Sequence, residues 1–473
     1  MAFFEPDPGA PEQEIMVYRL KLCTDSGEQL TLHGVKTLNS SAALSPQKLW
    51  YAATTLRFSV YRNKHTEVAK GVVSISKFAF ARQLLSLGLQ GPDFGVRGKL
   101  MLQFFRFFAQ HLSKHFLAPF RPLQYPSNTP GRQQGCWVER PVPNTITTLK
   151  AVDGIASTLR MWQPSGRPAD HQPRSILFLP GAAVTHEIFA LPTIKKNAIE
   201  YFTEAGFRCF VLSHRLTTRA EPGPWTTYDL RLDIVAALRE IQNLDGPEQR
   251  GKPYIISHCL GAMGLASALL DGTISADDVA GITASAVFLH PIVTPLNRLK
   301  ARLPVLPAYT LLAGNIFSCV SASTDAFVER AINNLIRLYP QTSRRNMCTS
   351  VTCHRCQLGF GGLWSHDKLN EATHARLHNI MGSVDVRTLR HLVAMDSHEA
   401  VIDNAGRSLL TAENLSCFAR LPILLFSGGE NQAYPPEATR RSYQLFGEVE
   451  GHDVRHVVFP GFGHLDTWMS ENP

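Results

Sequence analysis

One eleven-residue stretch constrains this chain more than any other: Tyr254-Ile255-Ile256-Ser257-His258-Cys259-Leu260-Gly261-Ala262-Met263-Gly264. Its first half has the length and β-formers of a buried strand. Its second half continues as an apolar helical pattern to the helix-stop position Gly272. No loop separates the two. A strand running into a helix through small–x–nucleophile–x–small is a nucleophile elbow, whose strained centre leaves room only for small residues two positions away. Centring the turn on Ser257 puts β-branched Ile255 where bulk clashes. Cys259 is therefore the expected nucleophile and Ser257 a small spacer. At a helix N-terminus its thiol is expected to favour thiolate. The plainer alternative is an inert cysteine, since free cysteines are commonly buried.

The surroundings repeat the strand–helix alternation. From about residue 174, short apolar runs (ILFLPG, CFVLSH, YIISHC, AVFLHP, ILLFSGG and HVVFPG) read as buried parallel strands. Between them, TIKKNAIEYFTEAG, YDLRLDIVAALREIQNL and LGAMGLASALLDG read as helices, which implies a doubly wound α/β sheet. Residues 292–421 are too long for a loop and carry helical patterns, so a helical cap over the sheet's carboxyl edge is expected. The core then comprises 151–291 and 422–473.

Two further elements complete a reactive centre of the α/β-hydrolase fold. The first strand ends at Leu179-Pro180-Gly181-Ala182-Ala183, and the turn there supplies one oxyanion N–H, the residue after the nucleophile the other. Ala182 and Leu260 are the expected donors. After the last strand comes Phe462-Gly463-His464, and the order nucleophile, acid, histidine makes His464 the general base. The third member follows ILLFSGG. Glu430 is preferred because an anion stabilises imidazolium; Asn431 is the alternative, because Cys–His pairs also work with Asn.

Upstream, residues 15–80 alternate apolar and polar β-formers around turns such as Asp25-Ser26-Gly27, which indicates antiparallel strands. Residues 78–118 turn helical and aromatic-rich, with an apolar face expected to be core. Residues 1–125 thus form a β-rich unit with a helical extension, and 126–150 a linker punctuated by Pro and Gly. Hydrophobic residues at 44% and charged residues at 18% fit a globular enzyme rather than a disordered chain. The net charge of +8 is spread out in runs no longer than two, such as Arg344-Arg345, and no basic stripe interleaved with aromatics points to nucleic acid. No apolar run is long enough to span a bilayer. The acidic, Pro-rich start lacks the features of a secretory signal, and nine scattered cysteines form no disulfide framework, so a cytoplasmic setting is expected.

Cys348-x4-Cys353-x2-Cys356, with His354 inside, invites a metal reading, but no fourth cysteine stands at a fitting distance and no metal is expected. His366, His374 and His378 are placed on one helix as structural residues.

The run Cys348…Cys353…His366-Asp367-Lys368-Leu369-Asn370-Glu371-Ala372-Thr373-His374, with Glu430-Asn431 and Gly463-His464-Leu465-Asp466, resembles the α/β-hydrolase module fused to cholesterol-oxidase-like (GMC) flavoenzymes. The upstream stretches Phe80-Ala81-Arg82-Gln83-Leu84 and Arg106-Phe107-Phe108 resemble that module's companion segment, so the likeness spans nearly the whole chain. No G-x-G-x-x-G follows an early strand, so FAD and other cofactors are not expected. The family has stand-alone, thioesterase-like members in fungal polyketide pathways that close lactones of the decarestrictine type. The resemblance implies an acyl thioester substrate, possibly delivered on an acyl carrier protein, and release by macrolactonisation. The alternatives are a lipid or sterol carboxylesterase and a non-catalytic binding protein. Relatives continue past Ser470-Glu471-Asn472-Pro473 into a closing helix, so a shortened chain is expected. Within the cap, Leu311 and Trp364 are expected to line the acyl pocket.

Overall fold

The computed structural model describes residues 2–7, 10–38, 54–62, 66–76, 78–79, 82, 98–107, 123–126, 140–165, 173–217, 223–245, 251–336, 348–447 and 453–471. The chain divides into two compact units, 1–123 with 343–349, and 124–342 with 350–473. Most of the expected linker, residues 127–139, and the Arg344-Arg345 cluster lie outside the described residues, as does most of Phe80–Leu84. Among the described residues no helix is long and apolar enough to cross a membrane.

In the first unit the alternating pattern forms a five-stranded antiparallel sheet in chain order: β1 (Ala2–Asp7), β2 (Ala10–Cys23), β3 (Gln29–Leu38), β4 (Thr55–Arg62) and β5 (Thr66–Ser74). The β2–β3 turn closes on Gly27, whose φ of 80° needs a residue without Cβ. A helical stretch covers 98–107, but its apolar side chains are not the expected core: Leu102 is 71% and Phe105 41% exposed. At 100° per residue, Leu100, Leu102, Phe104, Phe105 and Phe107 are spread around the helix and form no single stripe.

The second unit holds an eight-stranded sheet in the order β15-β14-β11-β10-β8-β9-β7-β6. Its strands are β6 (Thr145–Lys150), β7 (Ala156–Trp162), β8 (Ser175–Leu179), β9 (Arg208–Ser213), β10 (Tyr254–His258), β11 (Gly281–Ser285), β14 (Ile423–Gly428) and β15 (Val454–Phe459). β8 to β15 pair in parallel within it, while β6 and β7 form an antiparallel edge hairpin. That hairpin corrects the linker boundary, because β6 lies inside 126–150. A second correction concerns AVFLHP. The strand is the preceding Gly281–Ser285, and Ala286, at φ 75°, turns the chain out of the sheet before the more apolar run begins. A central strand flanked on both sides can be built from Ala, Thr and Ser, since depth and not side-chain size buries it.

Helices α1 (Ala198–Glu204), α2 (Leu230–Asp245) and α3 (Leu260–Leu270) match the three expected patterns. α1 starts later than its apolar pattern because Asn197 and Glu200 form a capping box. Buried Arg215, after β9, pairs with Asp153 at the β6–β7 turn and with Asp233 of α2, tying the edge hairpin to the core. Between β11 and β14 the described chain is mostly helical: α4 (Pro295–Arg302), α5 (Val305–Ala313), α6 (Phe327–Ile336), α7 (Val351–Phe360), α8 (Glu371–Ala375), α9 (Leu377–Ile380) and α10 (Val386–His398). A short ladder, β12 (Ile316–Ser318) with β13 (Ser383–Asp385), joins its two halves.

Candidate active site

β10 lies between β8 and β11 and delivers Cys259 to the carboxyl edge of the sheet. The Cys259 N–H donates to the Ser285 carbonyl at 3.0 Å, extending the ladder one residue past the strand. There the backbone turns to φ 53°, ψ −120°. Such a conformation costs a non-glycine residue about 1–3 kcal/mol and persists only when its surroundings enforce it. Here the ladder holds one side and α3, buried along its whole length, holds the other. The turn closes because Gly261 has no Cβ; one would sit 2.6 Å from the carbonyl oxygens of Leu179 and Pro180. Ser257 is buried in the strand, its hydroxyl donating to Thr283 O at 2.9 Å.

The backbone N–H groups of Leu260 and Ala182 are both directed at the Cys259 thiol and favour its anion. Burial outweighs them and pushes the thiol up to about 12. Against the expected thiolate, the two amides and the helix terminus do not offset the effect of burial on the thiol. His464 is buried, and burial pushes its imidazole down to about 3. The pair therefore rests as neutral thiol and neutral imidazole. Its donor atoms and that of His258 lie within 4.8 Å of one another.

His464 is held from the cap side. Its N–H and that of Leu465 donate to Leu363 O at 3.1 and 2.7 Å. Buried Asp466 accepts from Ser365 N at 3.1 Å, and burial raises its carboxyl to about 6. On the other side the turn after β14 is pressed against residues 462–463, where a Cβ on Gly428 would meet Gly463 O at 2.0 Å.

The same turn carries both candidate third members. The N–H of Glu430 donates to Phe462 O at 2.8 Å, but its side chain is exposed. Asn431 is buried, its Oδ1 accepting from the N–H groups of Ala433 and Tyr434 at 3.0 Å each. Asn431 Nδ2 and His464 Nδ1 have no hydrogen-bond partner among the described residues. The backbone anchor thus turns the side chain of Glu430, the preferred candidate, outward and that of the alternative, Asn431, inward.

Two neighbours were not foreseen. His258, in the spacer position of the elbow, is fully buried with its ring 4.7 Å from that of His464. Its Nδ1 lies 2.8 Å from Ser285 Oγ and receives the Trp468 indole N–H at 3.3 Å; its Nε2 has no hydrogen-bond partner among the described residues. Tyr434 is buried beside the site, its phenol held above the usual range first by burial and then by the Asp396 carboxylate. A histidine inside the elbow was visible in sequence; nothing local marked Tyr434.

Above Cys259 lies a cavity of ≈ 1130 Å³, its open mouth included, lined by Ala182, Val305, Leu306, Tyr309, Phe360 and Leu363 among others. Lys300 adds an ammonium to the wall; burial lowers it to about 8, and it donates to Asn297 Oδ1 at 3.0 Å. The two residues expected to line the pocket do not. Leu311 is 86% exposed, because Val305, Leu306 and Tyr309 occupy the inner face of α5 and Leu311 the outer. Trp364 is buried but is not among the lining residues, where Leu363 takes its place.

A mostly parallel sheet with a strained nucleophile turn on its central strand, a histidine after its last strand and a helical insertion between them defines the α/β-hydrolase class. The chain belongs to the alpha/beta hydrolase family, whose model matches residues 176–473. No curated protein matches it. Among solved structures it is similar to DcsB in complex with its substrate analogue (14% identity, TM-score 0.40, 68% of this chain and 92% of that one). A monoglyceride lipase variant from Saccharomyces cerevisiae gives 12% identity and a TM-score of 0.43, over 72% and 92% of the two chains. A carboxyl esterase from Bacillus coagulans gives 14% and 0.42, over 68% and 91%. At these scores none of those proteins' activities transfers to this chain. The finer likeness to the flavoenzyme module rests on the sequence resemblance alone.

Proposed function

We propose that this chain is a cysteine-dependent acyl-transfer enzyme that takes the acyl group of a thioester onto Cys259 and releases it to a hydroxyl. One observation carries the reading: the Cys259 thiol, on a strained turn at the floor of an apolar cavity, faces the N–H groups of Ala182 and Leu260 and has His464 within 4.8 Å. In the first step Sγ forms a bond to the acyl carbon while His464 takes the thiol proton. The carbonyl oxygen becomes an oxyanion between the two amides, and the leaving thiolate departs with the proton from His464. One thioester replaces another, so the exchange is nearly balanced. In the second step His464 takes the proton of the acceptor hydroxyl, the C–O bond forms, the acyl C–S bond to Cys259 breaks, and the departing sulfur takes the proton from His464.

Asn431 is assigned the third place, holding the imidazole so that one ring nitrogen stays free for the thiol. The neutral resting pair supports proton transfer concerted with attack. The apolar wall supports folding of a hydroxyacyl chain over Cys259, and excluding water there favours the chain's own hydroxyl as acceptor. Hydroxyacyl thioesters of graded length and matched oxygen esters, with product analysis, test this. Thioester turnover with lactone among the products is expected. Preference for lipid oxygen esters, with only free acid formed, would replace it with a carboxylesterase.

A further inference from the structure

The cap contains a second cysteine–histidine cluster that the reaction above does not use. Cys353, on α7, has its Sγ 3.3 Å from Nε2 of His374 on α8 and 3.7 Å from Nε2 of His366 in the short turn between these helices. The two imidazoles lie 4.9 Å apart, tilted by 53°, and the three donor atoms are within 4.8 Å of one another. The histidines were expected on one helix with His378. They instead occupy three separate elements, and only His366 and His374 face the thiol.

We propose that Cys353, His366 and His374 bind a zinc ion. Zn–S of about 2.3 Å and Zn–N of about 2.0–2.1 Å at the tetrahedral angle put sulfur and nitrogen roughly 3.5 Å apart. The two observed separations straddle that value. A thiol has a single proton and can donate it to only one of two imidazole nitrogens, whereas a thiolate on a metal shares the centre with both. Thiolate with imidazole is a donor set that selects zinc over the harder cations. The sequence holds a further thiol, Cys348, five positions before Cys353, close to the cysteine spacing of zinc sites. Cys356, counted with these two in the sequence motif, belongs elsewhere: it is buried against Cys319.

The three ligands come from three cap elements and none lines the cavity above Cys259, so the role of the site is structural. α7 and the His366 turn bracket residues 361–365, which place Leu363 in the cavity wall and its carbonyl on the N–H groups of His464 and Leu465. Zinc would clamp both ends of this segment. The inference stands independently of the reaction assigned to Cys259.

The test is zinc content of the full-length protein after dialysis, for the wild type, Cys353→Ala, His374→Gln and Cys259→Ala. About one zinc per chain is expected in the wild type and in Cys259→Ala. Cys353→Ala and His374→Gln should lose it, with zinc affinity lowered about 100-fold or more. Because Cys353→Ala could misfold, the metal-free wild type is also titrated with Co²⁺, which should give a thiolate-to-metal charge-transfer band and tetrahedral ligand-field bands. Absence of both zinc and the cobalt bands in the wild type would overturn the site. So would wild-type affinity in a folded His374→Gln protein, or loss of zinc on substituting Cys259, which would move the metal to the other cluster.

Discussion

The two cysteine–histidine clusters of the larger unit set the same side chains in different surroundings. Cys259 stands with His258 and His464, and Cys353 with His366 and His374. Cys259 is partly accessible and lines the cavity, its backbone is strained to φ 53°, and two amide N–H groups point at its sulfur. Cys353 is buried in a helix, outside the cavity lining, with both imidazole nitrogens turned onto its sulfur. Residue type therefore does not separate the setting of one thiol from that of the other. The backbone around each does: an elbow frees amides for an oxyanion, while a helix spends its amides on its own hydrogen bonds.

The sharpest test of this contrast is a pair of substitutions. Cys259→Ala should lower turnover by about 10³-fold or more, as loss of a nucleophile does, with the far-UV spectrum unchanged. Cys353→Ala should change turnover far less but lower the melting temperature. Equal losses of turnover would erase the distinction.

His464→Ala should slow acylation by about 10²–10⁴-fold, the range of general-base catalysis. In the wild type, a thiol held up to about 12 beside an imidazole held down to about 3 stays protonated through neutrality. Deprotonation grows as pH rises toward the thiol's value, so alkylation of Cys259 by iodoacetamide should climb steadily from pH 6 to 9. A plateau near neutrality would mean a preformed thiolate–imidazolium pair.

A smaller effect separates the neighbours Glu430 and Asn431. Asn431→Ala should lower kcat by about tenfold or more, and Glu430→Gln by less than twofold, because an exposed carboxylate contributes little. The reverse ranking would restore Glu430 to the site. Smallest are the pocket effects: Leu306→Asn should raise the ratio of hydroxy acid to lactone, while Leu311→Asn, on the outer face of the same helix, should leave it unchanged.

What was legible in the sequence was whatever is encoded locally. The elbow, its glycine, the two amides and the position of His464 follow from chain order and from steric demands within a few residues of Cys259. The α5 pocket face was not legible, because Leu306 and Leu311 are equally apolar and only the helix's rotation against the core separates them. Glu430 was preferred over Asn431 on charge alone, since the hydrogen bond from Glu430 N to Phe462 O that turns the side chains is long-range and left no local mark. The edge hairpin Thr145–Trp162 was missed for its weak apolar pattern, and the strand Gly281–Ser285 for its small residues. The pairing of Cys353 with His366 and His374 depends on how three elements pack, and linear spacing alone had argued against a metal.

The central claim is that Cys259 carries the acyl group, and the most direct measurement is intact-mass spectrometry of the protein mixed with a reactive acyl thioester, followed by peptide mapping. The account predicts one acyl adduct on the peptide containing Cys259, absent in Cys259→Ala and still present in Cys353→Ala. An adduct at another residue, or turnover of the thioester by Cys259→Ala at the wild-type rate, would contradict it.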